Sequence, residues 1–338
     1  MTSETANLGA GYQKKRVLVT GAGGFIGSHL CEALVAAGAR VTGLVRYNGR
    51  GDEGMLRVVP KSTRDEMTIV QGDIRDPFQV RALAEGQDVI FHLAALIAIP
   101  FSYSAPQSYV EVNIGGTLNV LEAARACRTP RVMHTSTSEV YGTARTTPIS
   151  EDHPLQGQSP YSASKIGADA MVESYFRAFQ LPVCTVRPFN TYGPRQSTRA
   201  VLPTIVTQAL KGGVVRLGSL TPVRDMTYVL DTVRGMMKCT LAESCLGEAT
   251  NLGTGVAWSV GQMVETVSRI VGRPLDVQVE DARVRPDKSE VMLLLSDNRK
   301  ARARADWTPS VELEEGVRLL VEDVRRDPAR YAVEGYHV

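Results

Sequence analysis

The chain runs to 338 residues, 43% of them hydrophobic, enough to bury a large core and, by length alone, to fill two or three domains. Its 38 basic residues nearly balance 36 acidic ones, which excludes the one-signed surface of a nucleic-acid binder. Five cysteines (Cys31, Cys127, Cys184, Cys239, Cys245) include no Cys-x-x-Cys pair, their odd count argues against a disulfide framework, and no apolar stretch approaches the ~18 residues of a membrane span. The N-terminus lacks a signal-peptide core, so the expectation is a soluble cytoplasmic protein with no metal, nucleic-acid or membrane partner.

Residues 1–12, polar and glycine-containing, read as a frayed tail. Arg16–Thr20 reads as a buried strand and runs directly into Gly21-Ala22-Gly23-Gly24-Phe25-Ile26-Gly27; from Ser28 the apolar spacing is helical. Strand, glycine turn, helix is the context that a dinucleotide fingerprint requires. Gly21 permits the tight turn, Gly24 lets the backbone approach a pyrophosphate, and Gly27 lets the helix pack on the strand. The first helical turn, Phe25 and Ile26 included, then faces the phosphates with free N–H groups and a partial positive charge. An acidic residue roughly 20 positions past the turn would bind the ribose 2′-hydroxyl and select NAD. Here the second strand, near Arg40–Val45, ends in Val45-Arg46. No carboxylate repels a 2′-phosphate there, and Arg46 either pairs with one or sits solvated at a strand end. The expected cofactor is NADP, with NAD as the alternative.

Further strands follow near Met67–Val70, Val89–His92, Val132–Ser136 and Val183–Arg187, alternating with helical segments. That alternation predicts an α/β fold, a Rossmann-type doubly wound parallel sheet with helices on both faces. Ligands then gather at the carboxyl ends of the strands, where Gly21, Ala94, Ser136 and Pro188 lie. Beyond Gly193 the segments shorten and Pro and Gly increase. The predicted boundaries are a dinucleotide-binding domain over 13–190, recurring around 225–260, and a mainly substrate-binding lobe over 191–338.

Between the last two strands stand Tyr161 and Lys165, preceded by Ser136-Thr137-Ser138-Glu139. A phenol titrates near pH ~10 and is a poor base unless a cation favours the phenolate. A lysine four residues on along a helix shares its face and can supply that charge. Thr137 adds a hydroxyl to hold a substrate oxygen, and Glu139 a carboxylate to move a second proton, unless it merely caps a neighbouring loop.

The glycine turn followed by the Tyr161/Lys165 pair resembles the extended short-chain dehydrogenase/reductase family, in its nucleotide-sugar epimerase/dehydratase branch. Supporting pieces fall in family order: Gly72-Asp73-Ile74, His92-Leu93-Ala94-Ala95, Asn113 with Gly116-Thr117, Arg187-Pro188-Phe189-Asn190, Arg224-Asp225 and Arg285-Pro286. The resemblance implies that Asp73, Ile74, Leu93, Ala94 and Ala95 join Tyr161 and Lys165 around the cofactor. It implies that Ser102, Asn190, Arg224 and Arg285 meet a nucleotide sugar, the two arginines at its diphosphate. It also implies a homodimer paired through helices spanning about Pro106–Cys127 and Tyr161–Phe179, with Val112, Leu118, Leu121, Met171, Tyr175 and Phe179 as apolar positions.

Most reactions of that branch open alike, with C4 of the sugar oxidised while Tyr161 takes the hydroxyl proton. A 4-epimerase then needs only to return hydride to the other face, whereas a 4,6-dehydratase needs a base at C5 and an acid at the C6 oxygen. Glu139 is the candidate base, with Ser138 as relay. Ser138-Glu139 stands where glucose dehydratases carry Asp-Glu, which leaves the identity of the acid open. Together with the apolar run Ile99-Pro100-Phe101, which would suit an acetamido methyl or simply complete the core, the motifs look like the N-acetylglucosamine 4,6-dehydratases of the legionaminic-acid type. UDP-glucuronate decarboxylases and 4-epimerases are the alternatives within the family, and a non-catalytic nucleotide sensor the alternative outside it.

Overall fold

The computed structural model describes residues 9–280 and 291–332. Seven strands form one parallel sheet in the order β10-β6-β5-β4-β1-β2-β3: β1 (Arg16–Thr20), β2 (Arg40–Arg46), β3 (Thr68–Gly72), β4 (Val89–His92), β5 (Arg131–Thr135), β6 (Val183–Pro188) and β10 (Ala249–Leu252). Residues of β4 and β6 are buried throughout, as expected of strands covered on both faces. The order reverses between β1 and β4, and the crevice opens beyond their carboxyl ends.

One face is covered by the helices Phe25–Ala36, Val229–Leu241 and Arg299–Ala305, in a core that reaches from Val17 and Phe91 to Trp307. The other is covered by Pro77–Ala84, Gly116–Cys127 and Pro160–Phe179, around Leu18, Ile90 and Val132. The sheet thus takes its last strand, β10, from far beyond residue 190.

Three expectations need correction. Gly9–Tyr12 is helical rather than frayed: Tyr12 is fully buried in the first core, and its hydroxyl donates to Met237 O at 2.8 Å. The span Pro106–Cys127 is continuous but widens to π winding over Val110–Gly115, which turns Asn113 inward. Of the six positions offered for pairing, Leu121 and Tyr175 lie in this chain's own core, and Val112 and Met171 pack against it. Leu118 at 36% and Phe179 at 52% exposure are left at the surface.

The second lobe is built on β9 (Val223–Tyr228), which pairs with β7 (Asn190–Tyr192), β11 (Ala257–Ser259) and β13 (Leu293–Leu294), while β8 (Val214–Leu217) pairs with β12 (Asp276–Val279). Helices Val201–Lys211, Val260–Val271 and Leu313–Arg326 bury their apolar faces together around Ile205, Met263 and Leu320. Buried Asp225 ties three segments by accepting from Thr254 N (2.7 Å), Gly255 N (2.8 Å) and Ser296 N (3.1 Å). Across the lobes, Arg195 Nη2 donates to Glu32 Oε2 at 2.7 Å, and His29 Nε2 meets Pro194 O at 3.0 Å. Among the described residues, no helix is long and apolar enough to cross a membrane.

The buried imidazoles of this frame include His29, His92 and His134. Burial first, then the Arg195 charge, pulls His29 down to about 4; burial and the Lys165 charge do the same to His134, to about 4; burial and His134 hold His92 well below its ordinary range. Each is neutral when folded, and the unfolded chain binds the proton more readily. Their contribution is therefore full above pH 6.5 and is lost as pH falls toward 4. The melting temperature is expected to drop across that window, His29 and His134 each costing on the order of 3 kcal/mol when protonated. Calorimetry showing a flat midpoint across the window would overturn this account.

Candidate active site

At the end of β1, Gly21 turns with φ 74°, and a Cβ there would lie 2.8 Å from Ala94 N. Gly27 is closer still: its Cβ would lie 2.2 Å from Gly21 O. Gly24 N donates to Gly21 O at 3.0 Å, and Gly24 caps the helix Phe25–Ala36 with no side-chain hydrogen bond. The first-turn N–H groups thus lie without a capping side chain across them, on a turn too closely packed against its own backbone for a Cβ at Gly21 or Gly27, an arrangement that fits a dinucleotide pyrophosphate. The Phe25 and Ile26 side chains turn away and pack against the second lobe's core, so only their backbone N–H groups are placed for the phosphates.

Thr20, which the sequence reading passed over, fixes the opposite wall. Its Oγ1 accepts from Leu93 N and Ala94 N, both at 3.2 Å, and lies 2.8 Å from His92 Nδ1. With its acceptor side filled, Thr20 donates to Nδ1, so neutral His92 donates from Nε2 to Thr117 Oγ1 at 3.0 Å. Thr117 in turn donates to Asn113 O at 2.6 Å. Ala95 follows half-buried, and Asn113 clamps Leu96, accepting from its N at 2.8 Å and donating to its O at 2.9 Å.

At the end of β2, Val45 is buried and Arg46 exposed. Asp73 is occupied by Arg75, whose Nη2 lies 2.6 Å from Oδ2; that bond first, with the Arg46 charge adding to it, holds the carboxyl below its ordinary range. Ile74 is a core residue beneath Gly116, leaving its backbone for contacts: Asn119 Nδ2 donates to Ile74 O at 3.0 Å.

The Tyr161 helix, Pro160–Phe179, starts with a capping box between Ser159 and Ser162 and with Pro160 at its first position. The start is thereby fixed, and Tyr161 and Lys165 share one face. Tyr161 is buried with its ring edge-on to Tyr109, centroids 6.2 Å apart. Thr137 hydrogen-bonds the phenol, and the Glu139 charge reaches it, so both sequence-predicted partners are brought together with it. Thr137 Oγ1 also accepts from Glu139 N at 3.2 Å, which sets the turn that carries buried Ser138.

The expected effect of Lys165 on the phenol is not what sets it here. Burial pushes Tyr161 up, partly offset by the Thr137 hydrogen bond, and Glu139 adds to the rise. Lys165 Nζ instead donates to Thr135 O at 2.7 Å, and burial pulls its ammonium down to about 8 against the opposing charge of Asp169.

On the sugar side, Ile99, Tyr109 and Tyr161 form one apolar cluster with Leu96, and Phe101 is 40% exposed. Ser102 is corrected: it is fully buried and its hydroxyl donates to Ile99 O at 2.6 Å, within its own short helix. Asn190 carries a buried Oδ1 without a hydrogen-bond partner. Arg224 is buried on β9 and donates from Nη1 to Val223 O at 3.0 Å. Arg285 lies outside the described residues. Arg199, which no sequence signal singled out, brings a positive charge to Tyr109 from the loop before Val201–Lys211. No group of three or more His, Cys, Asp or Glu among the described residues could hold a metal ion.

The family model described as GDP-mannose 4,6 dehydratase matches residues 18–320. A UDP-glucose 4-epimerase of Mycolicibacterium smegmatis is 34% identical over 316 residues, covering 92% of this chain and 98% of that protein. A dTDP-glucose 4,6-dehydratase of Actinoplanes is 34% identical over 265 residues, covering 77% and 82%. Among solved structures, the dTDP-glucose 4,6-dehydratase DesIV of Streptomyces venezuelae, with NAD bound, superposes with a TM-score of 0.81 at 28% identity, covering 94% of this chain and 98% of that one. With the glycine cradle, the Thr137/Tyr161/Lys165 cluster and the seven-stranded parallel sheet all in place, the chain belongs to the extended short-chain dehydrogenase/reductase family of nucleotide-sugar dehydratases and epimerases.

Proposed function

We propose that this protein is a nucleotide-sugar 4,6-dehydratase that removes water across C5–C6 of a UDP- or GDP-linked N-acetylglucosamine. The observation that carries this reading is Glu139, a carboxylate whose charge reaches the Tyr161 phenol beside the Thr137 hydroxyl. An elimination needs a base in that place, and an epimerisation does not. When bound, the nicotinamide supplies the acceptor and donor of hydride. Thr137 holds the C4 oxygen, and Tyr161 takes its proton; burial governs the phenol in the structure itself, and in this reading the Lys165 ammonium one helical turn away favours the phenolate once cofactor and sugar are bound. Glu139 then removes the C5 proton, which the C4 ketone has made acidic, and delivers it to the departing C6 oxygen, with Ser138 as relay; the hydride would return to C6 and a proton to C5, giving the 4-keto-6-deoxy sugar. The roof of Ile99 and half-exposed Phe101 suits an acetamido methyl. Asn190 and Arg224 from the second lobe are assigned in this reading to the sugar and the diphosphate.

A 4-epimerase is the second reading, and the 34% identity to the mycobacterial UDP-glucose 4-epimerase supports it. Product mass separates the two: dehydration loses water and epimerisation leaves mass unchanged. A panel of UDP- and GDP-sugars followed by mass spectrometry is the direct test, and an unchanged product mass would reject the dehydratase.

Glu139→Gln is expected to permit reduction of bound cofactor on meeting substrate and then to stall, or to release a 4-keto sugar that keeps its C6 hydroxyl. Wild-type product should carry solvent deuterium at C5. Turnover left mostly intact in Glu139→Gln, with no deuterium at C5, would favour the epimerase.

Tyr161→Phe is expected to fold and bind cofactor yet lose turnover by several orders of magnitude, since only the phenolic oxygen is removed. Near-normal turnover in the purified variant would sink Tyr161 as the base.

For the cofactor, buried Val45 and exposed Arg46 at the end of β2 favour NADP, although the DesIV relative was solved with NAD. Arg46→Ala is expected to weaken NADP(H) more than NAD(H) by roughly 1.5–3 kcal/mol, the worth of a charge-assisted bond to the 2′-phosphate. Equal weakening of both in a calorimetric titration would overturn the preference.

A further inference from the structure

Asp169 stands one helical turn beyond Lys165 and is as deeply buried, 6% exposed against 3%. A carboxylate at that depth takes a proton unless it is matched by charge and hydrogen bonds. Its Oδ2 collects three donors: Ser136 Oγ at 2.8 Å, Arg187 Nη2 at 3.0 Å and Arg187 Nε at 3.1 Å. Arg187 is itself braced, its Nη1 donating to the Tyr141 hydroxyl at 2.9 Å, which donates to Asn251 Oδ1 at 2.7 Å. Oδ1 of Asp169 lies 3.3 Å from His134 Nε2, close enough for attraction but not aligned as a hydrogen bond. Burial alone would push this carboxyl up; His134, Arg187 and Lys165 together bring it down to about 2.

The groups facing this pair from each element can be named. The Tyr161 helix contributes Lys165, Asp169 and the Tyr161 phenol, β5 the neutral His134, β4 the neutral His92, and β6 Arg187. The turn after β5 contributes Tyr141 and, beyond Tyr161, Glu139. Two cations and one carboxylate thus share a dry site. Arg187 alone would satisfy Asp169 as a structural pair. The carboxylate nevertheless lies one helical turn from Lys165, whose Nζ is held by Thr135 O, and its charge opposes the loss of the ammonium proton by burial.

We propose that Asp169 is a positioning residue for the reaction: from behind the site it keeps Lys165 in its ammonium form, while Ser136 and Arg187 keep Asp169 itself ionised and still. It acts through Lys165 rather than on the sugar. The inference rests on the reading that a protonated Lys165 supports the Tyr161 phenolate.

The test titrates Lys165 directly, by NMR of isotope-labelled lysine ε-carbons in the full chain loaded with NADP or NAD, with the signal assigned through Lys165→Met. Asp169→Asn is expected to lower the Lys165 midpoint by roughly one to two pH units, the effect of losing a neighbouring opposite charge. Asp169→Glu should restore most of the difference. Asp169→Ser removes the same charge and should lower the midpoint as Asp169→Asn does. A residue that merely braced the fold would not lower the midpoint in Asp169→Asn and restore it in Asp169→Glu. The alkaline limb of cofactor reduction by a nucleotide sugar should follow the same order, because turnover needs the ammonium.

A Lys165 midpoint unmoved in folded Asp169→Asn would overturn the proposal. If that variant does not fold, an unmoved midpoint in folded Asp169→Ser would do so instead. A shifted midpoint in a protein that no nucleotide sugar reduces would leave the effect of Asp169 on Lys165 standing and retire the catalytic reading.

Discussion

Beyond the carboxyl ends of β1 and β4 the two chain paths come so close that Gly21 can carry no side chain: a Cβ would lie 2.8 Å from Ala94 N. From this approach a single hydrogen-bonded chain runs outward. Thr20 holds Leu93 and Ala94, then donates to His92; His92 donates to Thr117, and Thr117 to the Asn113 carbonyl. The Asn113 side chain continues to Ser164 at 2.9 Å, and Ser164 donates to the Tyr161 carbonyl at 2.7 Å. The cofactor cradle and the catalytic helix are thereby located by the same polar thread. The thread requires one tautomer of a neutral imidazole, which the burial of His92 enforces.

The second constraint is electrostatic. Lys165, Asp169 and Arg187 are all nearly excluded from water, an arrangement that costs more in desolvation than a well-packed apolar set would. The fold meets that cost by crowding donors onto one oxygen of Asp169 and by stacking the Arg187 guanidinium 5.1 Å from the Tyr141 ring. Two neutral imidazoles, His92 and His134, fill the remaining polar space without adding charge. A dry, pre-set cluster of this kind does not reorganise when the reaction moves charge, which is where catalytic electrostatics gains over water.

The second lobe is held to this frame by contacts that cross the crevice rather than by a long linker. Arg195, in a left-handed conformation with φ 69°, reaches Glu32 on the glycine-turn helix, and its backbone N donates to the Tyr331 hydroxyl at 2.8 Å. Phe25 and Ile26 add apolar contact from the first helical turn to the second core. The helix that follows the glycine turn is therefore also the helix that seats the lobe carrying Asn190 and Arg224.

The local chemistry of this site was legible in the amino-acid order. A β-branched strand entering spaced glycines, a tyrosine with a lysine four residues on, and a Thr-Ser-Glu turn after a strand each act within one turn or one element, so short-range spacing reveals them. Strand limits followed for the same reason: Val89–His92 is read from its own residues and is observed unchanged. What the sequence could not disclose is which polar side chains are taken out of water. Asp169 looks like a solvated helix residue until Ser136, 33 positions away, and Arg187, 18 positions away, are folded onto it. Ser102 looks like a sugar ligand until its hydroxyl is seen turned onto Ile99 O, and Tyr12 like part of a loose tail until Met237 meets it across 225 positions. Whether Lys165 faces the phenol, a backbone carbonyl or a carboxylate depends likewise on strands β5 and β6 arriving beside the helix. Burial of a polar group is a property of several distant segments at once, and only the tertiary structure brings them together.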